Sequence, residues 1–196
     1  VMGLRAKAMR MKAQEALRER DIMHSLAHSD PLTGLSNRRG LQHALQLALS
    51  SSSPSHLVAV YLIDLDGFKP INDSHGHDVG DDLLVAVGQR LQASVRQQTD
   101  LVARLGGDEF IIMACQLETP EQAANLGHAL LRAFDEPLAV GDLHLKVGLT
   151  IGYALAPLDG NDPPELIRLA DTAMYAGKQR GKRSILRNSG ELALAP

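Results

Sequence analysis

The chain has 196 residues, 44% of them hydrophobic and 22% charged. That is about one domain with the composition of a soluble globular protein, which excludes wholesale disorder. Twenty Lys and Arg stand against 23 Asp and Glu, a net charge of -3, with 3% aromatics and no Trp. This disfavours a nucleic-acid binder built on a basic face and base-stacking platforms.

Residues 1–28 lack Gly and Pro after Gly3 and are rich in Ala, Arg, Met, Leu and Glu, all strong helix formers. Two heptad-like series run through them, Leu4–Ala8–Met11–Glu15–Arg18–Ile22 and Met9–Ala13–Ala16–Arg20–Met23–Ala27. Neither is a clean coiled-coil seam, and a solvated helix and a weak dimerising helix both fit. The segment holds six basic and three acidic residues, leaving 14 basic and 20 acidic for the remainder. A basic leader therefore precedes an acidic body. The leader is charged and helical, unlike a signal peptide, and the start on Val1 reads as a cut from a longer protein. No apolar run reaches the roughly 20 residues of a membrane span.

His28–Leu35 (HSDPLTGL) is a breaker, with Pro31, Asp30 and Gly34 as turn residues. A helix is expected from Asn37 to Leu49, and Ser50–Ser55 is a surface loop. His56–Asp64 (HLVAVYLID) reads as a buried strand ending in a carboxylate. A short helix around Phe68–Ser74 and an amphipathic helix over Asp78–Arg96 follow. Leu101–Leu105 and Glu109–Cys115 form a hairpin around Gly106-Gly107. Residues 120–134 are helical. Pro137–Val140 and Leu143–Leu155 form a second hairpin around Gly141-Asp142. Along the latter strand Val147, Leu149, Ile151 and Tyr153 share one face. Gly148, Thr150, Gly152 and Ala154 share the other, leaving room for a helix or ligand. The last helix has Asp162 as N-cap, Pro163 at its first position and Glu165 completing a capping box. Its core face is Leu166, Leu169, Ala170, Ala173, Met174 and Gly177, and a final strand follows. The order predicts an α+β fold, a mainly antiparallel sheet covered by helices.

Three acidic clusters stand out: Asp64-Leu65-Asp66, then Asn72-Asp73 with Asp78, Asp81 and Asp82, and Asp108-Glu109 after the Gly-Gly turn. If the Gly-Gly hairpin pairs beside the first strand, Asp64 and Asp108 converge, and paired carboxylates suit Mg²⁺ with its waters and phosphate ligands. Each acid alone is more ordinarily a solvated turn residue. Gly67 precedes a helix whose first turn carries Lys69, and free N–H groups there favour an anion. Lys178 and Lys182 lie one helical turn apart beside Gly177 and Gly181. Alone they read as a basic last turn complementing the helix dipole. The chain has no G-x-x-x-x-G-K-[ST] and no G-x-S-x-G, excluding a P-loop enzyme and a nucleophile elbow. Cys115, the single cysteine, excludes a disulfide framework, suits a reducing cytoplasmic setting, and has apolar neighbours ill suited to a nucleophile. His75-Gly76-His77-Asp78 lacks further ligands at zinc spacing.

Arg104-Leu105-Gly106-Gly107-Asp108-Glu109-Phe110 resembles the signature of the GGDEF family, the diguanylate cyclases of bacterial signalling. Asp30–Leu35 with Asn37-Arg38 resembles the family's opening segment. Asp64–Lys69, Asn72-Asp73, Gly76-His77 and Gly80-Asp81 resemble its central segment, and Asp171–Gly181 its closing helix. The resemblance covers about residues 28–187. It implies a polymerase-palm-like, nucleotidyl-cyclase-like fold and the condensation of two GTP into cyclic di-GMP with release of pyrophosphate. It also implies that Asp64, the Leu65 carbonyl and Asp108 hold Mg²⁺, or Mn²⁺ in its place, with Glu109 supporting the metals. Asp108 is then the proton acceptor for the 3′-hydroxyl, with Glu109 and Lys69 completing the catalytic set. Asn72, His77 and Asp81 read guanine, and Phe68, Gly106 and Gly107 line the nucleotide. Lys69, Lys178 and Lys182 contact phosphates, Lys182 standing where many members carry Arg and so losing the fork geometry.

One departure concerns the product-inhibition motif R-x-x-D, where Gln97-Gln98-Thr99-Asp100 keeps Asp100 but replaces the Arg by Gln97. Arg96 is one residue early, which on a helix turns it by about 100°. The expectation is a degenerate inhibitory site, with weak or absent product inhibition through it. The expected organisation is a signalling helix over 1–28, a catalytic domain over 29–188 and a tail over 189–196. The domain is expected in the cytoplasm, the parent protein anchored to a membrane or not. Catalysis by two domains face to face implies a homodimer through catalytic domains and N-terminal helix. Two other readings remain: a silent GTP- or cyclic di-GMP-binding module, and another palm-type nucleotidyl cyclase or polymerase.

Overall fold

The computed structural model describes residues 2–188; the expected tail over 189–196 lies outside them. The elements run α1 (Met2–His28), α2 (Arg38–Ser50), β1 (Leu57–Asp66), α3 (Phe68–His75), α4 (His77–Ala93), β2 (Leu101–Gly106), β3 (Glu109–Leu117) and α5 (Pro120–Ala133). There follow β4 (Leu138–Val140), β5 (Leu143–Leu145), β6 (Gly148–Ala156), α6 (Pro163–Gln179) and β7 (Ile185–Arg187).

The main sheet has the order β2-β3-β1-β6-β7, antiparallel except for the parallel β6–β7 pair. β1 sits at its centre, and alternation sends its side chains to two covered faces. Leu57, Ala59, Tyr61, Ile63 and Leu65 join the core containing Leu83, Leu84, Val87 and Leu91 of α4 and Leu130 of α5. Val58, Val60 and Leu62 join Leu41 and Leu45 of α2 and Leu166, Leu169 and Met174 of α6. Burial on both faces explains why β1 reads as a continuous apolar run.

Expected helix ends are realised by side chains. Asn37 is the N-cap of α2 rather than its first residue, accepting from Gly40 N at 3.0 Å. Asp162 caps α6, accepting from Glu165 N at 3.4 Å with Pro163 at the first position. The expected roominess of the Gly148–Ala154 face is taken by a helix. A Cβ on Gly152 would stand 2.0 Å from Ala170 O and 2.1 Å from Met174 N, so α6 lies directly on β6.

Three expectations are corrected. The first strand runs on to Asp66, so Asp64 lies two residues inside its end. The expected single strand Leu143–Leu155 is two strands in two sheets, because β5 pairs only with β4 while β6, buried on both faces, joins β1. Helix α4 stops at Ala93, so Arg96 is not carried round on a helix. The leader forms one long helix, as its composition predicts, and its Met9, Ile22, Met23 and Leu26 are exposed. No helix among the described residues is long and apolar enough to cross a membrane.

Candidate active site

Antiparallel pairing of β1 with β3 sets Asp64 opposite Glu109, so the two carboxylates project from the same sheet face. Asp108 precedes Glu109 in the turn joining β2 to β3, where Gly106 (φ 137°) and Gly107 (φ 53°) occupy backbone conformations that L-residues rarely adopt. Arg104 fixes this turn: its Nε donates to Gly107 O at 3.0 Å, and its Nη1 donates to Asp30 Oδ1 at 3.1 Å. Burial raises the Asp30 pKa, but bonds from Thr33 and Arg104 outweigh it and hold the carboxyl below its ordinary value. Asp30 thus ties the loop after α1 to the Gly-Gly turn.

The site concentrates negative charge. Burial pushes the Asp64 carboxyl above its ordinary value, opposed by Lys178 and reinforced by Asp108 and Asp66. Glu109 is also raised, by burial and then by Asp64, Asp171 and Asp108. A divalent cation would relieve both penalties. The surplus has drawn in Lys178, whose Nζ lies 2.6 Å from Asp64 Oδ2. Among the described residues no three His, Cys, Asp or Glu side chains already close around one point. Asp64, Asp108 and Glu109 fit a hard cation as an open, carboxylate-rich edge that waters and phosphate oxygens complete.

These raised values make a pH prediction with a definite sign. Between the ordinary and raised pKa, the folded state binds more protons than the unfolded one, so stability falls as pH rises through that window. Glu109→Gln removes this contribution without breaking a recorded ion pair. In metal-free thermal melts, E109Q should gain on the wild type by a few degrees as pH rises from the carboxylate range to 8. Mg²⁺ should close the gap. A constant difference across pH would contradict the upward shift assigned to burial and the neighbouring carboxylates.

The other sequence candidates fall on two sides. Lys69 lies in the exposed first turn of α3, behind Gly67 at φ 88°, and Phe68 is half-buried beside it. Asn72 on α3 is half-buried against Gly80 of α4, where a Cβ would stand 1.7 Å from Asn72 Oδ1. That oxygen is buried with no hydrogen-bond partner, and buried polar atoms are ordinarily satisfied. His77 and Asp81 are exposed on the first turns of the same α4. Opposite them, α6 supplies Lys178, which meets Asp64 rather than standing free as a phosphate contact. Lys182 follows in the turn after α6 with φ 65°.

Asp100 is buried and fully engaged. It accepts from Arg96 N at 3.0 Å, Arg96 Nε at 3.2 Å, Arg96 Nη2 and Thr99 Oγ1 at 3.1 Å, and Cys115 N at 3.1 Å. Arg96 folds back onto Asp100 from the turn after α4, while Gln97 is exposed. The Cys115 thiol is half-buried, and burial raises its pKa, which disfavours a nucleophilic thiolate.

Sequence reasoning missed Thr150 and the role of Asp66. Thr150 Oγ1 donates to both Asp66 oxygens at 2.9 Å. It also gave no part to Asp171, whose charge acts on Glu109.

Fold and site together define a palm-like nucleotidyl cyclase domain: a mixed sheet flanked by helices, with carboxylates presented on adjacent central strands. Residues 27–184 match the family described as "Diguanylate cyclase, GGDEF domain". The chain belongs to the GGDEF diguanylate cyclase family of bacterial cyclic di-GMP signalling. Signaling protein YkoW of Bacillus subtilis is 41% identical over 166 residues, covering 84% of this chain and 20% of that protein. Diguanylate cyclase TpbB of Pseudomonas aeruginosa is 38% identical over 160 residues, covering 81% of this chain and 37% of that protein. The solved GGDEF domain of TpbB superposes with a TM-score of 0.79 at 35% identity, covering 84% of this chain and 98% of that one. Cyclic di-GMP phosphodiesterase PdeR of Escherichia coli is 35% identical over 168 residues, covering 86% of this chain and 25% of that protein. The chain thus spans between a fifth and two fifths of these curated relatives.

Proposed function

We propose that this chain is a catalytically competent diguanylate cyclase domain, condensing two GTP into cyclic di-GMP with Mg²⁺ and acting as a dimer. The observation that supports it most is the pairing of Asp64 with Glu109, with Asp108 in the adjoining turn. Asp64, the Leu65 carbonyl and Asp108 would hold the metal, with Glu109 in support. Bound Mg²⁺, or Mn²⁺ in its place, supplies charge neutralisation on the triphosphate and acidifies the attacking 3′-hydroxyl. Asp108 takes the 3′-hydroxyl proton. Lys69, Lys178 and Lys182 bind phosphate oxygens, Lys178 by moving from Asp64 as the cation enters. Asn72, His77 and Asp81 read guanine, with Phe68, Gly106 and Gly107 against the nucleotide. Guanine N1–H and its exocyclic amine are adjacent donors that one carboxylate accepts together, which adenine does not offer. The partnerless Asn72 Oδ1 beside Gly80 supports a ligand on this side.

Each domain holds one nucleotide, so the two attacks need two domains face to face, and α1 with its exposed apolar residues is the element suited to bring them together. Chromatography of a GTP and Mg²⁺ incubation tests the proposal; binding of GTP without turnover marks the silent module instead. The name of PdeR as a phosphodiesterase keeps that second reading in view.

Product inhibition through the Asp100 region should be absent. Asp100 already accepts from Arg96, Thr99 and Cys115, and Gln97 brings no charge. Initial rates should change less than about twofold at saturating cyclic di-GMP after allowance for competition at the active site. Tight non-competitive inhibition that Asp100→Ala abolishes would overturn this.

A further inference from the structure

The second carboxylate of the Asp64-Leu65-Asp66 segment has a different surrounding from the first. Asp66 ends β1 directly opposite Gly148 of β6. Its oxygens accept from Thr150 Oγ1 at 2.9 Å, and Oδ2 also accepts from the backbone N–H of Arg183 at 3.0 Å. Thr150 is fully buried and Arg183 is not in a strand, so Asp66 ties the sheet to the turn between α6 and β7.

That turn is strained. Gly181, Lys182 and Arg183 have φ of 118°, 65° and 44°. Three left-handed residues in succession, two of them with side chains, persist only where the surroundings over-determine them. The surroundings here are identifiable. Asp66 holds Arg183 N, Gly177 O holds Lys182 N at 3.2 Å, and Ser184 O accepts from Ile151 N at 2.8 Å. The Arg183 stem crosses Gly148, where a Cβ would stand 2.8 Å from Arg183 Cγ. The same turn carries Lys182 and follows directly on the helix end carrying Lys178, which reaches Asp64. Asp64 and Asp66 lie two apart on one strand and share a face, so one holds the lysine-bearing helix end and the other the turn beyond it.

We propose that Asp66 is a positioning residue: with Thr150 it holds the α6–β7 turn in its left-handed form and so places Lys182 for an anionic nucleoside triphosphate. The inference rests on the cyclase reading. Strain at a turn that bears a cation beside the site is the expected place for such a device. An ordinary turn would let Lys182 swing into solvent, and the entropy of its long side chain would then weigh against phosphate binding.

The test compares Asp66→Ala, Thr150→Val and Lys182→Ala, singly and as the D66A/K182A pair, in the full chain. D66A and K182A should each raise the KM for GTP about tenfold with kcat within about twofold. The pair should be no worse than either alone, because both remove the same placed cation. T150V keeps the packing and should show a smaller rise of the same kind. Hydrogen exchange should accelerate at Lys182 and Arg183 in D66A while the amides of α6 stay protected, so a variant that has simply unfolded is recognised. Additive effects of D66A and K182A, an unchanged KM, or unchanged exchange at 182–183 overturns the inference while leaving the cyclase reading intact. No turnover of GTP by the wild type defeats the cyclase reading, a result separate from any of these.

Discussion

Asp108→Ala should lower the rate of cyclic di-GMP formation at least a thousandfold while leaving GTP binding within about tenfold of the wild type. Asp108 sits half-buried in the Gly106-Gly107 turn, which Arg104 fastens to Asp30. Its neighbour Glu109 lies across from Asp64. The side chain would serve the metal and take the proton, and a general base by itself is worth a hundred- to ten-thousandfold. In the cyclase reading the residues proposed to read guanine lie on α3 and α4, remote in sequence from this turn, so recognition of the base should survive. Calorimetry of GTP binding and chromatography of products read the two halves separately. Activity within tenfold of the wild type would place the proton acceptor elsewhere. Loss of binding together with activity would contradict the division between the turn and α3–α4.

Gly152→Ala should destabilise the domain by about 3 kcal/mol or more, the upper end of what overpacking costs. Gly152 lies mid-strand opposite Leu62. The added methyl would meet backbone atoms of α6, Ala170 O at 2.0 Å and Met174 N at 2.1 Å, not flexible side-chain ends. Relief requires α6 to move off β6. That displacement would also carry Lys178 away from Asp64, so activity should fall beyond the fraction unfolded. Urea unfolding checks the stability, and a cost below about 1 kcal/mol would show that the helix is seated less rigidly than described.

Much of this fold is legible in the chain because local signals agree. The Asp162-Pro163-Pro164-Glu165 start, the Gly106-Gly107 turn and the unbroken apolar run of β1 each specify one structure. The face of β6 bearing Gly152 reads as a place of close approach, although a helix and a ligand make the same demand on it. The partition of residues 143–156 between two sheets is not legible. Leu143, Leu145, Val147 and Leu149 continue one alternation, and only the tertiary pairing of β6 with β1 separates them. The fate of Arg96 is likewise hidden. A helical extrapolation rotates it away, whereas an end to α4 at Ala93 frees it to fold back onto Asp100. Among site residues, Asp64, Asp108 and Glu109 stand out through their spacing and the Gly-Gly turn. Asp66 and Thr150 do not, because the third member of their contact is a backbone N–H, that of Arg183, 117 residues from Asp66.

The exposed apolar residues of α1 give the account a concentration dependence. Met9, Met11, Ile22, Met23 and Leu26 are all exposed, apolar side chains that a partner helix would cover. In the cyclase reading that partner is a second copy, because a single domain with a single nucleotide cannot complete two phosphodiester bonds.

Product formation from GTP and Mg²⁺, followed chromatographically over a wide range of protein concentration, tests this most directly. The account predicts cyclic di-GMP and pyrophosphate, at a rate per mole of protein that rises with concentration until dimers saturate. It also predicts no product with Mg²⁺ removed and none from ATP. GTP that binds but stays unconverted at the highest concentration would contradict it and leave a nucleotide-binding module in its place.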